Sequence, residues 1–153
     1  WFLTYKQVGQ LMFVTALFLA LFLLFIYFWK RYVQKKDDVF SVQNIFIITA
    51  LSSLSFYFFN TEMHERYAHP ALVCLAAYAF LSKRFFPLLL GSLAYFLNME
   101  RICWYLNLHN YTYMNGFIFK PRLVAGLYLI LIILLYVLLY RNKTVKEDEP
   151  VLT

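Results

Sequence analysis

Long apolar runs broken by short polar clusters organise this chain. Residues 8 to 29, VGQLMFVTALFLALFLLFIYFW, hold no charge, and residues 121 to 140, PRLVAGLYLILIILLYVLLY, hold a single Arg at the edge. A helix needs about 20 apolar residues to cross a hydrocarbon core of about 30 Å, so each run predicts a transmembrane helix. Residues 40 to 59, FSVQNIFIITALSSLSFYFF, predict another, softer one. Its Gln43, Asn44 and serines are expected to face protein, because lipid offers them no hydrogen-bond partner. The segments ALVCLAAYAFLS and FFPLLLGSLAYFLN are each shorter than a usual span and are separated by Lys83 and Arg84. They predict two short helices, over 68–82 and 85–98, joined by a tight basic turn, with a re-entrant hairpin as the alternative. The expected fold is therefore all-α, an integral membrane helical bundle of about five transmembrane helices.

Composition strengthens this picture. Hydrophobic residues make up 63% of the 153 and charged residues 14%, against an apolar share of about 45–50% in soluble domains. The 14 basic residues exceed the 8 acidic ones. In a soluble protein that surplus points to nucleic acid; in a membrane protein it collects in cytoplasmic loops and sets orientation, so no nucleic-acid partner is expected. Cys74 and Cys103 have no metal-ligand spacing. The chain opens WFLTYKQ, with neither an initiator Met nor a cleavable signal pattern. We expect it to be a C-terminal piece of a longer polytopic protein.

Five spans give the loops a consistent charge asymmetry. Lys30, Arg31, Lys35, Lys36, Lys83, Arg84, Arg141, Lys143 and Lys146 fall on one side, and Lys6, Arg66, Arg101, Lys120 and Arg122 on the other. The more basic side is then cytoplasmic, together with the charged tail 141–153, and the polar cluster at residues 60–69 is expected on the non-cytoplasmic side. The loop 99–120, MERICWYLNLHNYTYMNGFIFK, faces the same way, and its aromatic residues predict a short interfacial helix.

The sequence FNTEMHERYAHP, residues 59 to 70, is the densest chemistry in the chain. Pro70 suits the first turn of the following helix and biases His69 toward an extended backbone. If residues 61–68 are helical, Glu62 and Arg66 lie one turn apart, with Glu65 on the same face and His64 and Tyr67 on an adjacent edge. This set fits a substrate that carries both phosphate and hydroxyl groups. Arg66 offers a planar fork of donors to phosphate oxygens. Glu62 and Glu65 accept from sugar hydroxyls or orient Arg66 and His64. His64 acts as a donor to a departing phosphate, or as a base near its ordinary pKa of about 6.5. The competing bland reading is that these charges only anchor a loop at the membrane boundary.

A metal site built from Glu62, His64, Glu65 and His69 matches no standard helix spacing such as H-E-x-x-H, so no metal or other cofactor is expected beyond a weakly supported divalent ion. In the second loop Arg101 and His109, with Glu100 beside them, are candidates for secondary phosphate contacts. Lys120 and Arg122 read better as interfacial anchors. Asn110 opens a glycosylation sequon, Asn-Tyr-Thr.

The segment EMHERYAHPALVCLAAYAF, residues 62 to 80, resembles the MHERY…PAL segment of polytopic glycosyltransferases of the GT-C class, most nearly the bacterial and archaeal relatives of the second mannosyltransferase of GPI-anchor synthesis. The residues that carry the likeness are Met63, His64, Glu65, Arg66, Tyr67 and Pro70. The resemblance implies an enzyme that passes a hexosyl or mannosyl group from a polyprenyl-phosphate donor to a glycan, lipid or protein acceptor on the non-cytoplasmic face. It also implies an acidic catalytic residue in an early outer loop that has no counterpart here. The main base is accordingly expected in the remainder of a larger chain or in a partner subunit, with Glu65 as the fallback within this one. Two readings from other classes compete with it: an accessory membrane subunit of a larger complex, and part of a transporter or flippase for lipid-linked or anionic solutes. A transporter calls for charged or broken helices near mid-membrane, where this sequence offers Gln43, Asn44, Pro87 and Gly91.

Overall fold

The computed structural model describes residues 4–35, 40–60, 65–103 and 119–142, of which 65, 66, 101–103 and 142 are described by their backbone alone. Within these residues the chain forms five α-helices: α1 (Tyr5–Tyr32), α2 (Val42–Phe59), α3 (His69–Ser82), α4 (Phe86–Cys103) and α5 (Pro121–Asn142). A short 3-10 helix, Glu65–Ala68, leads directly into α3. No strand occurs among the described residues. Helices α1, α2 and α5 are long and apolar enough to cross a membrane. The molecule is a helical membrane protein.

Each helix begins or ends for a local reason. At the start of α1 the Gln7 amide N–H donates to Thr4 Oγ1 at 3.4 Å, while Gln7 Oε1 accepts from the Thr4 amide at 2.8 Å. This reciprocal box satisfies two otherwise orphaned donors and starts the helix three residues before the apolar run. Lys30 and Arg31 in the last turn of α1 oppose its negative dipole end. Lys83, at φ 55° in the left-handed region, stops α3, and α4 begins at Phe86. The basic turn between α3 and the longer α4 is thus a tight hairpin. With 14 residues, α3 is about 21 Å long, short of the roughly 30 Å hydrocarbon core.

Packing makes α2 the hub. It touches α1, α3 and α5, while α4 fills the gap between α3 and α5. Its buried positions, Asn44, Ile47, Ile48, Ala50, Leu51, Leu54 and Ser55, recur at helical spacing and form one broad face toward these neighbours, while Val42, Ile45 and Phe56 on the other side are exposed. Asn44 and Ser55 are 7% and 1% exposed, so these polar groups of α2 do face protein. Gln43 Nε2 donates to the Leu81 carbonyl at 3.1 Å, tying the start of α2 to the end of α3. Helix α1 lies on the periphery. It buries only Ala16, Ala20 and Leu23 and leaves Phe18, Phe22, Phe25 and Trp29 exposed, as lipid-facing residues would be. Its fastening is unusual: the phenol hydroxyls of Tyr136 and Tyr140 on α5 donate to the carbonyls of Ala16 and Leu19, the second at 3.1 Å.

Small residues set how closely the helices approach. A Cβ added to Gly9 would lie 2.3 Å from the Phe59 carbonyl oxygen. Only glycine therefore lets the first turns of α1 reach the last residue of α2.

The alternating directions of the helices give the bundle two chemically different ends. Lys30, Arg31, Lys83, Arg84 and Arg141 gather at the end where α1, α3 and α5 finish. The opposite end holds the start of α3, the finish of α2 and α4, and the 3-10 turn.

Candidate functional site

The 3-10 turn packs against α2, α3 and α4. Ala68 is 1% exposed and belongs to the main core, so it anchors a turn whose preceding residues carry the charges. Of the residues expected in the site, Glu62, His64 and His109 lie outside the described residues. The backbones of Glu65 and Arg66 form the 3-10 turn, and that of Arg101 lies in the last turn of α4, at the same end of the bundle. Tyr67 is 42% exposed, with its ring edge-on to Phe56 at 6.4 Å between centroids. The interfacial helix expected within 99–120 falls largely on undescribed residues. Its first positions are instead the end of α4, because Leu97, Met99, Glu100 and Arg101 are good helix formers that extend the apolar run by a turn.

Beneath the turn lies a layer of polar side chains. His69, at the start of α3, is exposed and places Nδ1 3.3 Å from the Tyr95 hydroxyl, with the two rings 5.6 Å apart. Proline at the second position of α3 needs no amide donor there, so the helix starts at His69 without strain; His69 is helical where an extended backbone was expected. Deeper, Asn98 Nδ2 donates to the Tyr57 hydroxyl at 2.8 Å and joins α4 to α2. The Tyr57 ring meets Tyr128 of α5 edge-on at 5.3 Å. Glu100 is 2% exposed and is engaged in further interactions, as are Tyr57 and Tyr67.

Four helices thus contribute to one polar layer in an apolar body. Its neutral members offer phenol and amide groups that donate and accept, beside flat aromatic faces. Such a surface suits hydroxyl groups and the C–H faces of a sugar ring better than it suits bare charge. Among the described residues no three His, Cys, Asp or Glu side chains come together as metal ligands.

The sequence reading overlooked Tyr57, Tyr95, Asn98 and Tyr128. One signal was available: Asn98 closes an apolar run three residues after Tyr95, at helical spacing, before a loop carrying more charge. The Asn98–Tyr57 bond also has a measurable weight. Interhelical hydrogen bonds in membrane proteins contribute about 0.6 kcal/mol on average and up to about 1.7, whereas leaving a buried polar group unpaired costs about 1–3 kcal/mol. Because Tyr57 keeps further interactions, Asn98→Ala is expected to lower stability by about the first of these amounts, and Tyr57→Phe to cost less on the Asn98→Ala background than on its own. Thermal unfolding of the single and double variants in detergent measures this, and strictly additive losses would separate the two side chains energetically.

Comparison of the chain with family models, with curated proteins and with solved structures finds no match in any of the three.

Proposed function

We propose that the chain forms part of a membrane-embedded glycosyltransferase that takes a sugar from a polyprenyl-phosphate donor and acts on the non-cytoplasmic face. The observation that carries this reading is the seating of the Glu65–Ala68 turn. Its last residues are pinned through Ala68 over a four-helix polar layer, at the end of the bundle remote from Lys30, Arg31, Lys83, Arg84 and Arg141. By the positive-inside rule the basic end is cytoplasmic and the turn faces the other compartment.

Transfer from a phosphate-linked sugar builds negative charge on the departing phosphate. Arg66 supplies a guanidinium whose donors match that charge. The starts of α3 and α5 lie at the same end and add favourable partial charges. A carboxylate takes the proton of the acceptor hydroxyl. That base belongs to the rest of a larger assembly, with Glu65 as the candidate in this chain.

The test is equilibrium binding of polyprenyl-phosphate mannose to the full chain in nanodiscs. Saturable binding that bare polyprenyl phosphate competes for, and polyprenol of equal length does not, is the expected result. Equal competition by the uncharged polyprenol would remove phosphate recognition and the reading with it.

A further inference from the structure

Tyr128 is 3% exposed, and its hydroxyl is buried with no hydrogen-bond partner. An unpaired buried hydroxyl costs about 1–3 kcal/mol, and phenylalanine would fill the same space without that cost. Orphan polar atoms also occur at Asn44 Oδ1, Ser55 Oγ and the Tyr78 hydroxyl. What distinguishes Tyr128 is its company. Its ring packs edge-on against Tyr57, its hydroxyl lies within electrostatic reach of those of Tyr57 and Tyr95, and Tyr57 in turn accepts from Asn98. Tyr95 leads outward to the exposed His69, the residue after the Glu65–Ala68 turn. An unpaired hydroxyl therefore stands at the floor of a polar layer whose rim reaches the surface.

We infer that Tyr128 is a sugar-recognition residue: its hydroxyl, in the layer it shares with Tyr57, takes a hydroxyl of the lipid-linked sugar as its missing partner. The inference rests on the glycosyltransferase reading and deepens it by separating two parts of the donor. The phosphate is met at the turn, the neutral ring beneath it. Phenols and an amide match the ring because they exchange hydrogen bonds with hydroxyls of either polarity, while their aromatic faces cover its C–H bonds. A site built to bond a hydroxyl rejects an analogue that lacks it, since its own polar group is then left unpaired.

The experiment compares the full chain with Tyr128→Phe in nanodiscs, measuring melting temperature and the affinities for polyprenyl phosphate, polyprenyl-phosphate mannose and its monodeoxy analogues. Without ligand, the variant should melt at the same temperature or higher. Polyprenyl phosphate should bind both proteins equally, and the extra affinity contributed by mannose should fall about tenfold in the variant. One monodeoxy analogue should lose the same factor on the unaltered chain and nothing further on Tyr128→Phe. A lower melting temperature together with undiminished preference for the sugar would make the hydroxyl structural and overturn the inference. Equal affinity of the unaltered chain for bare and sugar-loaded lipid would also overturn it while leaving phosphate recognition intact. Failure of both lipids to bind would sink the enzyme reading and the inference together.

Discussion

Gly9→Leu is expected to detach the first turns of α1 from α2 and to cause the largest stability loss of any single change in the peripheral helix. The reason is geometric. Even the first carbon of a new side chain would sit 2.3 Å from the Phe59 carbonyl oxygen, a backbone atom that cannot swing aside as the tip of a side chain can. Overpacking of this kind costs about 1–3 kcal/mol when the obstacle yields. Here the helix itself must move, so Gly9→Ala should fall in that range and Gly9→Leu above it. Gly126 supplies the control. Nothing lies within 4 Å of a Cβ placed there, and Gly126→Ala should be neutral or stabilising by up to about 1 kcal/mol, the helix-propensity gain. Thermal unfolding in detergent, with a disulfide cross-link engineered between the α1 start and the α2 end as a proximity readout, distinguishes the two. If Gly9→Leu matched Gly126→Ala in stability and cross-linking, the close approach would be absent from the protein in solution.

Arg66→Lys is the change expected to weigh most on activity. Lysine keeps the charge and loses the planar fork, so the side chain can still attract a phosphate but cannot clamp two of its oxygens. Preorganised donors that meet developing charge are worth about 10²–10³ in rate when removed. Transfer by the complete assembly should therefore drop by about that factor, while the amount of protein inserted in the membrane stays constant. Glu62→Gln should cost less if that carboxylate serves only to orient Arg66. Equal losses in the two variants would instead put Glu62 against the substrate. Unchanged turnover in Arg66→Lys would exclude Arg66 from the phosphate role.

The helices were legible because their cause is local. Uninterrupted apolar runs of span length leave no other way to satisfy the backbone in lipid, and the Lys83–Arg84 break fixed the α3–α4 hairpin. Boundaries were less legible. The Thr4–Gln7 box starts α1 earlier than hydrophobicity does, and α4 runs on through Glu100 because helix propensity continues past the greasy stretch. The Glu62–Tyr67 cluster was visible as an excess of charge in a poor background. The layer beneath it was not, since Tyr57, Tyr95, Asn98 and Tyr128 come from three helices and a tyrosine in an apolar run reads as one more aromatic. Only the packing of α2 between α1, α3 and α5 turns these separate residues into neighbours.

The two phenols that fasten α5 to α1 also impose a schedule. They bridge positions 120 and 121 residues apart, so the first helix enters the membrane long before its carbonyls can receive those bonds. Until α5 arrives, the contacts that hold α1 among the described residues are chiefly those of its seam with α2, with Ala16 and Ala20 offering little surface to grip. Helix α5 therefore acts as the latch on α1, and chains interrupted before it should present the quality-control machinery with a loosely held α1.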